Sequence, residues 1–89
     1  MIFNTFMDIA IEEAKKAGTR GEVPIGAVVI DDRGKIISRD GNRTIELNDP
    51  TAHAEILVIR KACSILKNQR INNCSLYVTL EPCPMCAAA

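Results

Sequence analysis

Tryptophan is absent from this chain, and two phenylalanines and one tyrosine are the only aromatics among its 89 residues. So sparse a set offers few platforms on which unstacked nucleobases could rest. Net charge is missing too. Eleven Lys and Arg balance eleven Asp and Glu, so no strong basic field advertises a nucleic-acid partner, although a local patch can sit inside a neutral total. No apolar run approaches the roughly 20 residues a bilayer-spanning helix needs, and no membrane partner is expected. The N-terminus has no basic segment, and Asp8, Glu12 and Glu13 interrupt its apolar positions, so no signal peptide is read there. Without one, the four cysteines fit reduced cytoplasmic thiols better than a disulfide framework. Internal repeats, low-complexity tracts and linkers are also lacking. A chain this short makes one domain, residues 1–89, with a modest core that a metal would help to hold.

What is present centres on the single histidine. His53 stands in Pro50-Thr51-Ala52-His53-Ala54-Glu55, and further on comes Thr79-Leu80-Glu81-Pro82-Cys83-Pro84-Met85-Cys86. One imidazole, two thiols and one carboxylate can hold a single zinc ion. Structural zinc sites close with four protein ligands, whereas catalytic sites stop at three and keep water in the fourth position. A fourth ligand is hard to find here. With the stretch after Pro50 helical, Cys63 lies roughly 15 Å along the axis from His53. Cys74 precedes an extended run and would sit on the order of 20 Å from the Cys83 end. Both read as small core residues. Alone, Cys-x-x-Cys also fits a redox pair or a zinc knuckle, and a lone His fits a satisfied surface or core residue; the combination is far more specific.

Helical periodicity adds a second indication. At 100° per residue Arg60, Ser64, Lys67 and Asn68 gather on one face, Ile59, Ala62, Cys63 and Leu66 on the other, and Glu55 falls within the apolar face. A carboxylate there loses hydration, which disfavours its charged form and suits it to proton transfer. A first-turn Glu stabilised by the helix dipole is the plainer alternative. His53 and Glu55 leave an ideal helix roughly 200° apart, so a metal serving both must sit beyond the helix tip. Asp49 as N-cap and Pro50 at the first helical position would start that helix. Pro82 and Pro84 break the preceding strand, and Cys83 and Cys86 would share one side of another helix's first turn.

In chain order, Phe3, Phe6, Met7, Ala10, Ile11, Ala14 and Ala17 recur at three and four, predicting an amphipathic helix that ends at Gly18. Residues 19–22 read as a polar loop with solvated Arg and Glu. A buried strand is expected over 25–30, a hairpin turn at Asp31-Asp32-Arg33-Gly34, and the returning strand over 35–38. Residues 39–48 read as a polar loop in which Gly41-Asn42 is an ordinary turn pair. The second helix is expected over 50–66, a polar connector over 67–73, the third strand over 75–80, and a final helix from Pro84. This order predicts a three-layer α/β/α domain.

The His-x-Glu and Pro-Cys-x-x-Cys pair is the signature of the zinc deaminases. Glu22-Val23-Pro24-Ile25-Gly26-Ala27-Val28-Val29, Gly41-Asn42-Arg43, Asn48-Asp49-Pro50-Thr51-Ala52-His53-Ala54-Glu55-Ile56 and Leu76-Tyr77-Val78-Thr79-Leu80-Glu81-Pro82-Cys83-Pro84-Met85-Cys86 extend the match. Across nearly its whole length the chain resembles the cytidine/deoxycytidylate deaminase superfamily, most nearly its bacterial tRNA-specific adenosine deaminases. Guanine and cytosine deaminases are similar over the same segments. The resemblance implies a cytidine deaminase-like fold, one Zn2+ per chain on His53, Cys83 and Cys86, Glu55 as proton carrier, and Asn42 with the backbone around Ala54 orienting the base. It implies hydrolytic deamination of adenosine to inosine in a tRNA anticodon loop. The alternatives are a small nucleobase or nucleoside substrate (guanine, cytosine or dCMP) and an inactive zinc-binding remnant. A cytoplasmic homodimer is expected. In the family further strands and helices follow the Pro-Cys-x-x-Cys helix, so C-terminal truncation is expected as well.

Overall fold

The computed structural model describes residues 5–67 and 73–79. Helix α1 spans Phe6–Thr19 and is started by its own residues. Thr5 Oγ1 accepts the Asp8 N–H at 3.3 Å, and Asp8 Oδ2 accepts the Thr5 N–H at 3.2 Å, a reciprocal box that satisfies two orphan donors. Its buried stripe is Ile9, Ala10, Glu13, Ala14 and Ala17. Ile11, expected inside, is 39% exposed. The stripe is rotated because Arg39 draws Glu13 inward, Nε to Oε2 at 2.7 Å, and Ile9 takes the remaining flank. Phe3 lies outside the described residues.

Strand β1, Gly26–Ile30, is buried throughout. A turn joins it to β2, Ile36–Gly41, in which Asp31 Oδ1 accepts the Arg33 and Lys35 N–H groups at 2.9 and 2.8 Å. Helix α2 spans Ala54–Leu66, and β3 spans Ser75–Val78. The sheet order is β2-β1-β3, and β1 is antiparallel to both neighbours. Gly26 pairs with Gly41, Ala27 with Asp40, Val28 with Arg39 and Val29 with Ser38, before a bulge shifts the register to Ile30 and Ile36.

Side-chain alternation along β1 builds the layers. Val28 and Ile30 pack with Ile9 and Ala10 of α1, whereas Ala27 and Val29 pack with Ala54, Val58 and Ala62 of α2. The result is the expected three-layer α/β/α arrangement. Helix α1 lies very close to the sheet. A Cβ on Gly26 would collide with the Ala10 carbonyl oxygen and the Ala14 nitrogen, and one on Gly41 would lie 2.6 Å from the Glu13 carbonyl oxygen.

Several expected boundaries move. The returning strand runs on through Arg39, Asp40 and Gly41, because the helices supply partners for its charges. Arg39 faces Glu12 and Glu13 of α1, and Asp40 faces Lys61 of α2, Nζ to Oδ2 at 2.8 Å. The second helix begins at Ala54, not Pro50. Asp49 Oδ1 instead accepts the Thr51 N–H and hydroxyl at 2.9 and 2.6 Å, closing a turn ahead of the helix. The buried line of α2 runs through Ala54, Val58 and Ala62, and Leu66, one turn further on at the last residue of the helix, is 41% exposed. No helix among the described residues is long and apolar enough to cross a membrane. The expected final helix lies outside the described residues.

Candidate functional site

The site is assembled at one end of the sheet, where β1 begins and β2 and β3 finish. Asn42 follows β2 directly, and its N–H continues the ladder to the Ile25 carbonyl at 3.1 Å. It is 5% exposed and therefore not the turn residue its neighbour Gly41 suggests. Its side-chain Oδ1 accepts the Ala54 N–H at 2.8 Å. The two residues expected to orient a substrate base are thus bonded to each other.

Between them the chain folds back on itself. Arg43 N–H donates to the Ala52 carbonyl at 3.0 Å, and the His53 N–H to the Thr51 carbonyl at 2.8 Å. Arg43 Nε reaches Asp40 Oδ1 at 2.9 Å, and its Nη1 reaches both Glu46 oxygens at 2.9 and 2.8 Å. Asp40 is buried. Burial pushes its carboxyl up, but Lys61, the Gly41 N–H and Arg43 prevail and hold it below the usual carboxylate range.

This path delivers His53 as the N-cap of α2, with extended backbone and its side chain not used for capping. The imidazole, half-buried, therefore does not follow helical geometry, and the 200° separation expected from Glu55 does not apply. Glu55, in the first turn, is 3% exposed. Its Oε1 is fully buried without a hydrogen-bond partner among the described residues. Leaving such an oxygen unsatisfied costs about 1–3 kcal/mol, and native interiors rarely keep one without a functional reason.

An orphaned carboxylate oxygen two residues from an imidazole at a helix tip fits a metal-and-water site. The described residues supply only part of the ligand set, and no group of three His, Cys, Asp or Glu side chains among them could hold a metal ion. Cys83 and Cys86, the other expected ligands, lie outside the described residues. Their approach is nonetheless bounded. Thr79 is tied to Gly26 by its N–H to the glycine carbonyl at 3.1 Å and its Oγ1 to the glycine N–H at 3.2 Å. The chain thus leaves β3 at the end of the sheet that carries Asn42 and the tip of α2. Cys83 is four residues further, a tether of at most about 14 Å. Cys74 sits at the opposite end of β3, packed against the α2-side core; burial, with Asp31 and Asp32 nearby, pushes its thiol up. Cys63 lies well along α2. Neither is placed to join His53.

Sequence reasoning missed Glu22, read as solvated but 5% exposed. Its carboxylate accepts the Thr44 hydroxyl at 3.3 Å and the Ile45 and Glu46 N–H groups at 3.1 and 2.9 Å. Burial raises its carboxyl, and these donors with Arg20 more than offset that, leaving it below the ordinary glutamate value. No local signal marks it, since the hydroxyl and the two backbone N–H groups it accepts are 22 to 24 residues away.

Comparison with known proteins bears on the family and the fold. The family model of the cytidine and deoxycytidylate deaminase zinc-binding region matches residues 3–89. The tRNA-specific adenosine deaminase of Agrobacterium fabrum is 63% identical over 84 residues, covering 94% of this chain and 55% of that protein. A solved structure from studies of A-to-I editing by tRNA:A34 deaminases superposes with a TM-score of 0.90 at 63% identity, covering 93% of this chain and 59% of the other. Guanine deaminase from Bacillus subtilis also gives a TM-score of 0.90, at 43% identity, over 99% of this chain and 56% of that one. The chain spans about half the length of the curated relatives it matches.

Proposed function

The chain belongs to the cytidine and deoxycytidylate deaminase zinc-binding family, and from that premise we propose that it carries the catalytic half-site of a hydrolytic deaminase acting on adenosine in a tRNA anticodon loop. The buried Oε1 of Glu55, without a hydrogen-bond partner among the described residues and close in sequence to His53, is the observation that carries the reading. A structural zinc site has no use for a carboxylate at that place, whereas a proton carrier needs one oxygen uncommitted.

In this reading His53, Cys83 and Cys86 hold one zinc per chain. Bound zinc supplies Lewis-acid chemistry that lowers the pKa of water toward about 7. Glu55 Oε1 would take one proton from the attacking water and pass it to the purine ring nitrogen, then take the second, from the hydroxyl now on the ring carbon, and pass it to the amino group, which leaves as ammonia as the carbonyl forms. Asn42 and the backbone at Ala54 orient the base. Residues 1–89 act as a single domain that works as a cytoplasmic homodimer. The relatives named tRNA-specific adenosine deaminases favour the tRNA substrate. The close superposition on a guanine deaminase favours a second reading, in which the substrate is a small base such as guanine.

The test measures ammonia release by the zinc-loaded protein from an anticodon stem-loop bearing adenosine, from free adenosine, and from guanine, cytosine and dCMP. Inosine formed in the stem-loop alone is the expected result. Turnover of guanine alone transfers the assignment to the second reading, and no turnover of any substrate refutes both.

A further inference from the structure

Asn42 is gripped from one short segment. Ile25 accepts its N–H at 3.1 Å, and Arg20 Nη2 donates to its carbonyl at 3.2 Å. Glu22 accepts three donors from residues 44–46, immediately beyond it. These bonds fix the backbone on both sides of Asn42 and leave the side chain one short reach, Oδ1 to the Ala54 N–H at 2.8 Å. Glu22 sits 5% exposed and touches neither His53 nor Glu55 through any of these bonds.

We propose that Glu22 is a positioning residue: its carboxylate anchors the turn over residues 44–46 and thereby sets Asn42 against the first N–H of α2, at the mouth of the site. The inference rests on the proposed deaminase reading for its consequence but not for its geometry. A carboxylate is suited to the task because both oxygens are acceptors; Oε1 serves Thr44 and Ile45 while Oε2 serves Glu46. A glutamine of the same shape keeps one acceptor and turns the other into a donor aimed at an N–H.

The experiment compares Glu22→Gln, Asn42→Ala and the double variant in the zinc-loaded protein, with zinc content and circular dichroism confirming that each folds. Amide exchange at Ala54 should quicken about tenfold in Glu22→Gln, the loss expected when a charge-assisted bond of roughly 1.4 kcal/mol is removed. kcat/KM should fall about tenfold in the Asn42 background and not at all in the Asn42→Ala background, because the effect passes through Asn42. A general structural role predicts equal loss in both backgrounds, and that result overturns the proposal, as does unchanged exchange at Ala54. If the unsubstituted protein deaminates nothing, the functional reading fails by itself, and exchange at Ala54 alone decides the role of Glu22.

Discussion

The two helices of this domain start in opposite ways. Helix α1 is capped by residues adjacent to it in sequence, Thr5 and Asp8, whereas α2 has no cap of its own and borrows Asn42 from the end of β2. The first device is cheap and local, and it commits every atom to structure. The second leaves the His53 imidazole out of the cap and one oxygen of Glu55 without a hydrogen-bond partner among the described residues. A helix end that does not cap itself must be held in place by a partner from another element.

The largest expected effect separates chemistry from structure at the α2 tip. Glu55→Ala should keep zinc and fold while slowing deamination roughly a hundred- to ten-thousand-fold, whereas His53→Ala should lose the metal. Metal analysis beside ammonia release checks both. Loss of zinc from the Glu55 variant would make that residue a ligand and erase the distinction. On the α1 side, Gly26→Ala forces a methyl group into the backbone of α1 and should destabilise by about 3 kcal/mol, read as a shifted urea midpoint.

The caps themselves give the sharpest comparison. Asn42→Ala leaves the buried Ala54 N–H without an acceptor and should cost about 2 kcal/mol. Thr5→Ala, exposed at the edge of α1, should cost about 0.5–1 kcal/mol. Equal losses in thermal or urea unfolding would show that the tertiary cap is worth no more than the local one. A pH-dependent effect, smaller than that of Asn42→Ala, comes from Asp40: burial pushes its carboxyl up, but Lys61, the Gly41 N–H and Arg43 outweigh burial and hold it below the usual aspartate value. Its ion pairs contribute stability above about pH 4 that is lost as pH falls through the lower folded value. Unfolding of Asp40→Asn should therefore depend less on pH below about 4 than that of the parent. A parallel pH dependence in the two proteins would remove Asp40 from the account.

Much of the fold was legible because it repeats. The β-branched run through Val28 and Val29 and the three- and four-residue spacing of Ala10, Ala14 and Ala17 each mark a buried face. Polar residues misled wherever their partners are remote. Arg39 and Asp40 read as loop because a strand with charges on both faces needs Glu13 and Lys61 from two different helices. Asp49-Pro50 read as a helix start because the same residue types serve helix caps and tight turns. For the site, residue types and spacing pointed to His53 and Glu55. The burial of Asn42 and Glu22 had no signature within their own segments.

By itself, then, the sequence determined which chemistry this chain can attempt. One imidazole, one carboxylate on an apolar face and a spaced pair of thiols are the donor set of the proposed zinc site and its proton carrier, because metal preference and acid–base character belong to the side chains. Only the tertiary structure decided where α2 starts, which atom caps it and which carboxylate oxygen has no partner among the described residues. Those outcomes depend on hydrogen bonds between groups 12 and 22 to 24 residues apart, and such bonds form only after the sheet has brought its ends together.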